Sequence, residues 1–292
     1  MRVHAIETGR VRVKASQIVG RGLGRRLARI FDDEWSDWLP TYAFAVEHAE
    51  GVALVDSGAN AGLERLPSWH PYFQLAVKFD IEPEQEAGPQ LRALGIAPSD
   101  VKLIVLTHLH IDHDGGLAAF PQARILVSAG ERAAASGLRG RLGGYLPQRW
   151  PASFDPEPLV FADAPYGPFA RSRRLTADGA LVALPTPGHT SGHVSVALDD
   201  GERRIVFLGD ASYSQDNLLA GRVDGISPKA AIARETMARL AALAFERPTL
   251  LLPAHDPGAA DRLARAAAAP AAATSMRTAR ASPRLATPGA PC

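Results

Sequence analysis

Apolar residues fall along this chain in short runs separated by glycine, proline and polar turns. Residues 2–7 alternate weakly and predict an opening strand. Runs at Tyr42–Glu47 and Val52–Asp56 flank a polar turn and predict a hairpin ending at Asp56-Ser57-Gly58. Leu103–Leu106 and Arg124–Val127 predict further strands. Candidates at 180–184, 194–198 and 204–208 follow one another across short turns, as in an antiparallel meander. Leu250–Leu252 predicts a last short buried strand. Helices are predicted at 84–94, closed by Gly95, and at 129–137. A third at 229–245 has Ser227 as N-cap, Pro228 at the first helical position, and Ile232, Leu240 and Leu243 on one face. Residues 18–39 read as a loop with a short helix, and 138–177 as a long surface excursion.

Bulk properties narrow the classes. The chain has 292 residues, of which 46% are apolar, enough to build a real core. A net charge of +1 removes the electrostatic case for nucleic acid as a partner. Cys292 is the single cysteine, so neither an intrachain disulfide nor a thiolate metal cluster can form. The first residues carry no leader-like apolar stretch, and no run approaches the ~18 apolar residues of a membrane span. A soluble, cytoplasmic protein, monomer or homodimer, is the expectation. From residue 265 alanine, proline and arginine dominate, which predicts one folded domain at 1–264 and a disordered tail at 265–292. Arg21, Arg25, Arg26 and Arg29 read as a solvated helix face.

The stretch Thr107–Gly116 changes the picture. It places His108, His110, Asp112 and His113 within six residues, directly after an apolar strand and before Gly115-Gly116. Such density is costly unless a positive charge sits among the groups. Similar residues recur at later strand ends: His189 in Pro-Gly-His, Asp210 in Gly-Asp and His255 in Ala-His. Nitrogen and oxygen donors of this kind favour borderline or hard divalent ions. Seven groups exceed the needs of one tetrahedral ion and suit two ions sharing a carboxylate. Two such ions would lower the pKa of a shared water from ~16 to about 7, giving a hydroxide nucleophile. No Gly-x-Ser-x-Gly elbow and no suitable cysteine offers an alternative nucleophile. Asp56 reads as a carboxylate orienting a ligand imidazole, and His193 as a hydrogen-bonded core histidine. Trp35, Trp38, Trp69, Phe73 and Trp150 read as ordinary packing.

In order, His-x-His-x-Asp-His, Pro-Gly-His, Gly-Asp and Ala-His resemble the metallo-β-lactamase-fold hydrolases over residues 42–258. The resemblance implies an α/β fold, an αβ/βα four-layer sandwich with the metals at one edge of two mixed sheets. It implies that His108, His110 and His189 hold one ion, Asp112, His113 and His255 the other, and that Asp210 bridges. The two ions would be zinc, with iron, manganese or cobalt as alternatives. Asp210-Ala211-Ser212-Tyr213 and Asn217-Leu218 resemble the N-acyl-homoserine lactonase subgroup. There a tyrosine three residues after the bridging aspartate enters the site. Carried over, Tyr213 would bind the lactone carbonyl and Asp112 would return a proton to the departing alkoxide. Asp56-Ser57-Gly58 departs mildly from the Asp-Thr-Gly common in that group. A glyoxalase II-like thioester hydrolase, or a mononuclear iron dioxygenase, is the alternative on the same scaffold.

Overall fold

The computed structural model describes residues 1–20, 31–64 and 66–268. The arginine cluster at 21–29 and the tail beyond 268 lie outside the described residues. Seven strands form one sheet: β1 (Arg2–Val13), β2 (Leu39–His48), β3 (Gly51–Val55), β4 (Val77–Asp80), β5 (Val101–Val105), β6 (Arg124–Ser128) and β7 (Glu157–Leu159). Their order is β4-β1-β2-β3-β5-β6-β7. Five strands form the second sheet: β8 (Arg173–Arg174), β9 (Leu181–Pro185), β10 (Val194–Asp199), β11 (Arg204–Gly209) and β12 (Thr249–Pro253), ordered β12-β11-β10-β9-β8.

Period-two patterning explains the layers. Along β2, Phe44 and Val46 enter the core between the sheets, while Ala43 and Ala45 face the opposite side. In β5, Leu103 and Val105 point inward and Ile104 outward. The second sheet answers with Val194, Val196, Leu198, Ile205 and Phe207. Phe44 and Phe207 meet across the interface with ring centroids 5.0 Å apart. Leu91 of the helix Ala87–Ala93 packs on the outside of the first sheet. Met237, Leu240 and Leu243 of the helix Ala230–Phe245 pack on the outside of the second. The result is the expected αβ/βα sandwich.

Strand direction then sets the site. β3 and β5 are parallel. β9 and β11 each run antiparallel to β10, and β11 runs parallel to β12. Asp56, the Thr107–Asp114 loop, the Thr186–Thr190 turn, Asp210 and His255 thus all follow carboxyl ends of strands. Sites in sheets flanked by helices commonly gather there.

Local details differ from the sequence reading. The helix expected at 129–137 ends at Ala134, and a second, Gly137–Leu142, begins where Gly137 adopts a φ of +66°. Ser227 does not cap the long helix, which starts at Ala230 with Lys229 in the cap position and no side-chain bond there; the Ser227 hydroxyl donates to Asp224 at 2.7 Å. Ile232 is 37% exposed, unlike Leu240 and Leu243. The stretch 138–177 is not wholly superficial: Tyr145, Leu146 and Phe169 are buried, and β7 and β8 extend the sheets. The helix Ala259–Ala268 runs through position 265, with Leu263 buried. Among the described residues no helix is long and apolar enough to cross a membrane.

Candidate metal centre

The first histidine loop leaves β5 through Thr107 and is shaped by its neighbours. Asp56 holds a φ of +62°, the one non-glycine residue with positive φ among those described. Such a conformation is sparsely populated and persists only where the surroundings fix it. Here the Thr107 N–H and O–H donate to its carboxylate at 2.7 and 2.9 Å. His113 Nδ1 donates to the same carboxylate at 2.8 Å. Asp56 therefore orients a ligand-type imidazole, as expected. Gly116 allows close passage of the chain, since a Cβ there would lie 2.2 Å from the Ser57 carbonyl oxygen.

His113 Nε2 consequently faces inward, 3.3 Å from Asp210 Oδ1 and 3.9 Å from Asp112 Oδ1. His255 repeats the device. Its Nδ1 donates to the Pro40 carbonyl at 2.9 Å, so Nε2 faces Asp210 Oδ1 at 3.3 Å and Asp112 Oδ2 at 3.5 Å. On the other side, His110 Nδ1 lies 2.9 Å from His108 Nε2 and 3.1 Å from His189 Nε2. His189 Nε2 is also 3.4 Å from Asp210 Oδ2. Asp210 thus turns one oxygen toward each trio. His108, His110 and His189 have their ligand atoms within 4.8 Å of one another, as have Asp112, His113 and His255. The seven residues named from the sequence converge on one centre.

Asp210 itself is set by His193. The Asp210 N–H donates to His193 Nε2 at 3.0 Å, which requires that nitrogen to be unprotonated. Nδ1 then carries the hydrogen and donates to Thr186 Oγ1 at 2.9 Å. Burial pushes the His193 pKa down to about 3, in keeping with a neutral ring. Gly209 adopts a φ of +53°, and a Cβ there would lie 2.7 Å from Thr107 and 2.8 Å from His193 Nε2.

The residues fit divalent cations. His113 Nε2, Asp210 Oδ1 and His189 Nδ1 are buried polar atoms without a hydrogen-bond partner. Leaving such atoms unpaired costs about 1–3 kcal/mol each. A cation satisfies the first two. Burial opposes charge on Asp210, yet His255, His113 and His189 hold its carboxyl well below the usual range.

Sequence reasoning missed three supporting side chains. Glu131 is fully buried and accepts from the Leu109 N–H at 3.1 Å, the Tyr145 hydroxyl at 2.8 Å and the Thr190 hydroxyl at 2.6 Å. It ties the histidine loop to the Pro-Gly-His turn. Its spacing, Ser128-x-x-Glu131, has the form of a helix capping box, but only Ser128 caps, accepting from the Glu131 N–H. Glu131→Gln keeps the size and loses acceptor capacity. It is expected to lower unfolding free energy by about 1–3 kcal/mol, measured by urea titration. Asp224 stands 3.7 Å from His189 Nδ1 and is fixed by Ile226 and Ser227. Gln17 donates to the Tyr213 hydroxyl at 2.8 Å.

A sandwich fold with such a donor set defines a class of metal-dependent enzymes. The metallo-beta-lactamase superfamily pattern matches residues 36–255, and the chain belongs to that superfamily. A probable metallo-hydrolase of Mycobacterium tuberculosis is 35% identical over 185 residues. That alignment covers 61% of this chain and 58% of the mycobacterial protein. The N-acyl homoserine lactonase AttM of Azorhizobium caulinodans is 28% identical over 229 residues, 76% of this chain and 83% of the relative. In structure the chain is similar to an N-acyl homoserine lactone hydrolase with N-hexanoyl-L-homoserine bound at its catalytic metal centre. The TM-score is 0.70 at 20% identity, over 87% of this chain and 93% of the other.

Proposed function

We propose that this chain is a dinuclear metal-dependent hydrolase that opens lactone rings, with N-acyl-homoserine lactones as its substrate class. The observation that carries the two-ion reading is Asp210, whose carboxylate oxygens lie 3.4 Å from His189 and 3.3 Å from both His113 and His255. A carboxylate shared between two imidazole groups suits a bridging ligand. His108, His110 and His189 would hold one ion, and Asp112, His113 and His255 the other. The donors suit zinc best, and iron, manganese or cobalt also.

The adjoining cleft supports an acylated small molecule. β1 and β4 pair Val11 with Phe79 and Val13 with Val77, so their alternation presents four apolar side chains to it. Phe73 and Ile111 extend that wall. Phe73 thus has a place beside the substrate as well as in packing. At the other end stand Asp112, Tyr213 and the histidines.

Divalent ions, when bound, supply Lewis acidity and a water of lowered pKa. The chain's own groups do the rest. Tyr213 donates its O–H to the ester carbonyl oxygen, where negative charge develops. Water adds to the carbonyl carbon as Asp112 takes one of its protons, the ring C–O bond breaks, and Asp112 passes that proton to the departing alkoxide. The product is the ring-opened hydroxy acid.

Purified, metal-loaded protein assayed on lactones of increasing acyl length tests the reading. Turnover of acyl-homoserine lactones supports it; hydrolysis of thioesters or aryl esters with none of any lactone overturns it. Tyr213→Phe is expected to lower kcat about 100-fold with bound metal unchanged, measured by initial rates and elemental analysis.

A further inference from the structure

We infer that Gln17 is a positioning residue for Tyr213, holding the phenol so that its hydroxyl hydrogen faces the cleft. The inference rests on the lactonase reading, because it gives that hydrogen a carbonyl oxygen to meet.

Gln17 lies on the single helical turn Ala15–Ile18 and is 2% exposed. Burying an amide is costly unless its polar atoms are bonded, and both are. Nε2 donates to the Tyr213 oxygen at 2.8 Å, and Oε1 accepts from the Tyr72 hydroxyl at 3.1 Å. A phenol carries one hydrogen. When its oxygen accepts from Gln17, that hydrogen is available to another acceptor. With the amide reversed, Tyr213 would donate to Gln17 and lose its donor for the substrate. Tyr72, by donating to Oε1, favours the productive orientation. His255 stacks on the Tyr213 ring at 5.4 Å and 23°, which limits its other movements. Gln17, Tyr72 and Tyr213 all line the cleft.

The turn that carries Gln17 is seated without the amide. The Gly225 N–H donates to the Gln17 carbonyl at 2.8 Å, and the Gly20 N–H to the Val223 carbonyl at 2.9 Å. A Cβ at Gly225 would lie 2.0 Å from the Ser16 carbonyl oxygen, so the two segments are in backbone contact. An apolar side chain of similar length can therefore replace Gln17 without unseating the turn.

The test is a double-mutant cycle on whichever ester the wild-type protein opens fastest, with bound metal and melting temperature measured for each variant. Gln17→Leu is expected to lower kcat about tenfold while KM stays within about twofold. Gln17→Glu should be slow too, because a carboxylate captures the phenol hydrogen. In a Tyr213→Phe background, Gln17→Leu should cost almost nothing further. Additive losses, or a Gln17→Leu variant as fast as wild type beside a slow Tyr213→Phe, would overturn the inference. Failure of the wild-type protein to open any lactone instead overturns the functional reading, while the cycle on its best ester still decides the role of Gln17.

Discussion

Asp210→Asn is expected to lower kcat/KM by about 1,000-fold, in line with several kcal/mol of lost transition-state stabilisation. It should also reduce bound metal from two ions per chain toward one. Asparagine keeps the volume, and its backbone N–H can still bond His193 Nε2. What changes is the head group. In place of two anionic oxygens, one toward His189 and the other toward His113 and His255, it offers one neutral oxygen and one NH2. An NH2 cannot ligate a cation, so one trio loses its shared ligand. Each trio still keeps three donors of its own, which is why a residual ion is expected. Elemental analysis and initial rates on the same preparation check both halves. Two tightly held ions with undiminished turnover would remove Asp210 from the bridge.

The seven residues that converge on the centre are legible in the sequence because a metal site would demand those identities, and strand order places them at recognisable strand ends. His108 to His113 stand behind Leu103–Leu106, and Asp210 behind an apolar run ending in Gly209. The two-sheet architecture is legible for a related reason, since alternation along β2 and β5 separates inner from outer residues. The supporting shell obeys no local pattern. Gln17 reaches Tyr213 across 196 positions, and Glu131 reaches Thr190 across 59. Glu131 even carries a competing local signal, the capping-box spacing. Ser227 shows the converse error: the sequence suits an N-cap there, but the helix starts at Ala230, with Lys229 in the cap position. Tertiary partners decide residues such as Gln17 and Glu131, and a single sequence does not record them.

The metal-free and metal-loaded proteins are expected to depend on pH in opposite senses above about pH 6.5, the unperturbed histidine value. Burial opposes protonation of His113, His189 and His255, yet Asp210 and neighbouring carboxylates raise all three. A raised folded-state pKa contributes stability that is present below the unfolded value and is lost as pH rises through the folded one. Metal-free protein should therefore lose stability as pH climbs above about 6.5. His108 and His193 are lowered, chiefly by burial. Their contribution is lost below that same pH, so the two groups act in separate windows and the metal-free optimum lies between them. Metal reverses the upper limb. Ligand imidazoles must be neutral to coordinate, so loading releases protons and tightens as pH rises. With free metal at about 1,000 times its dissociation constant, the added stability is about 4 kcal/mol. Melting temperatures of chelated and zinc-loaded protein across a pH series would show a gap that widens from mildly acidic to mildly alkaline pH. Parallel curves would mean that these histidines do not exchange protons for metal, and the centre as assigned would fall.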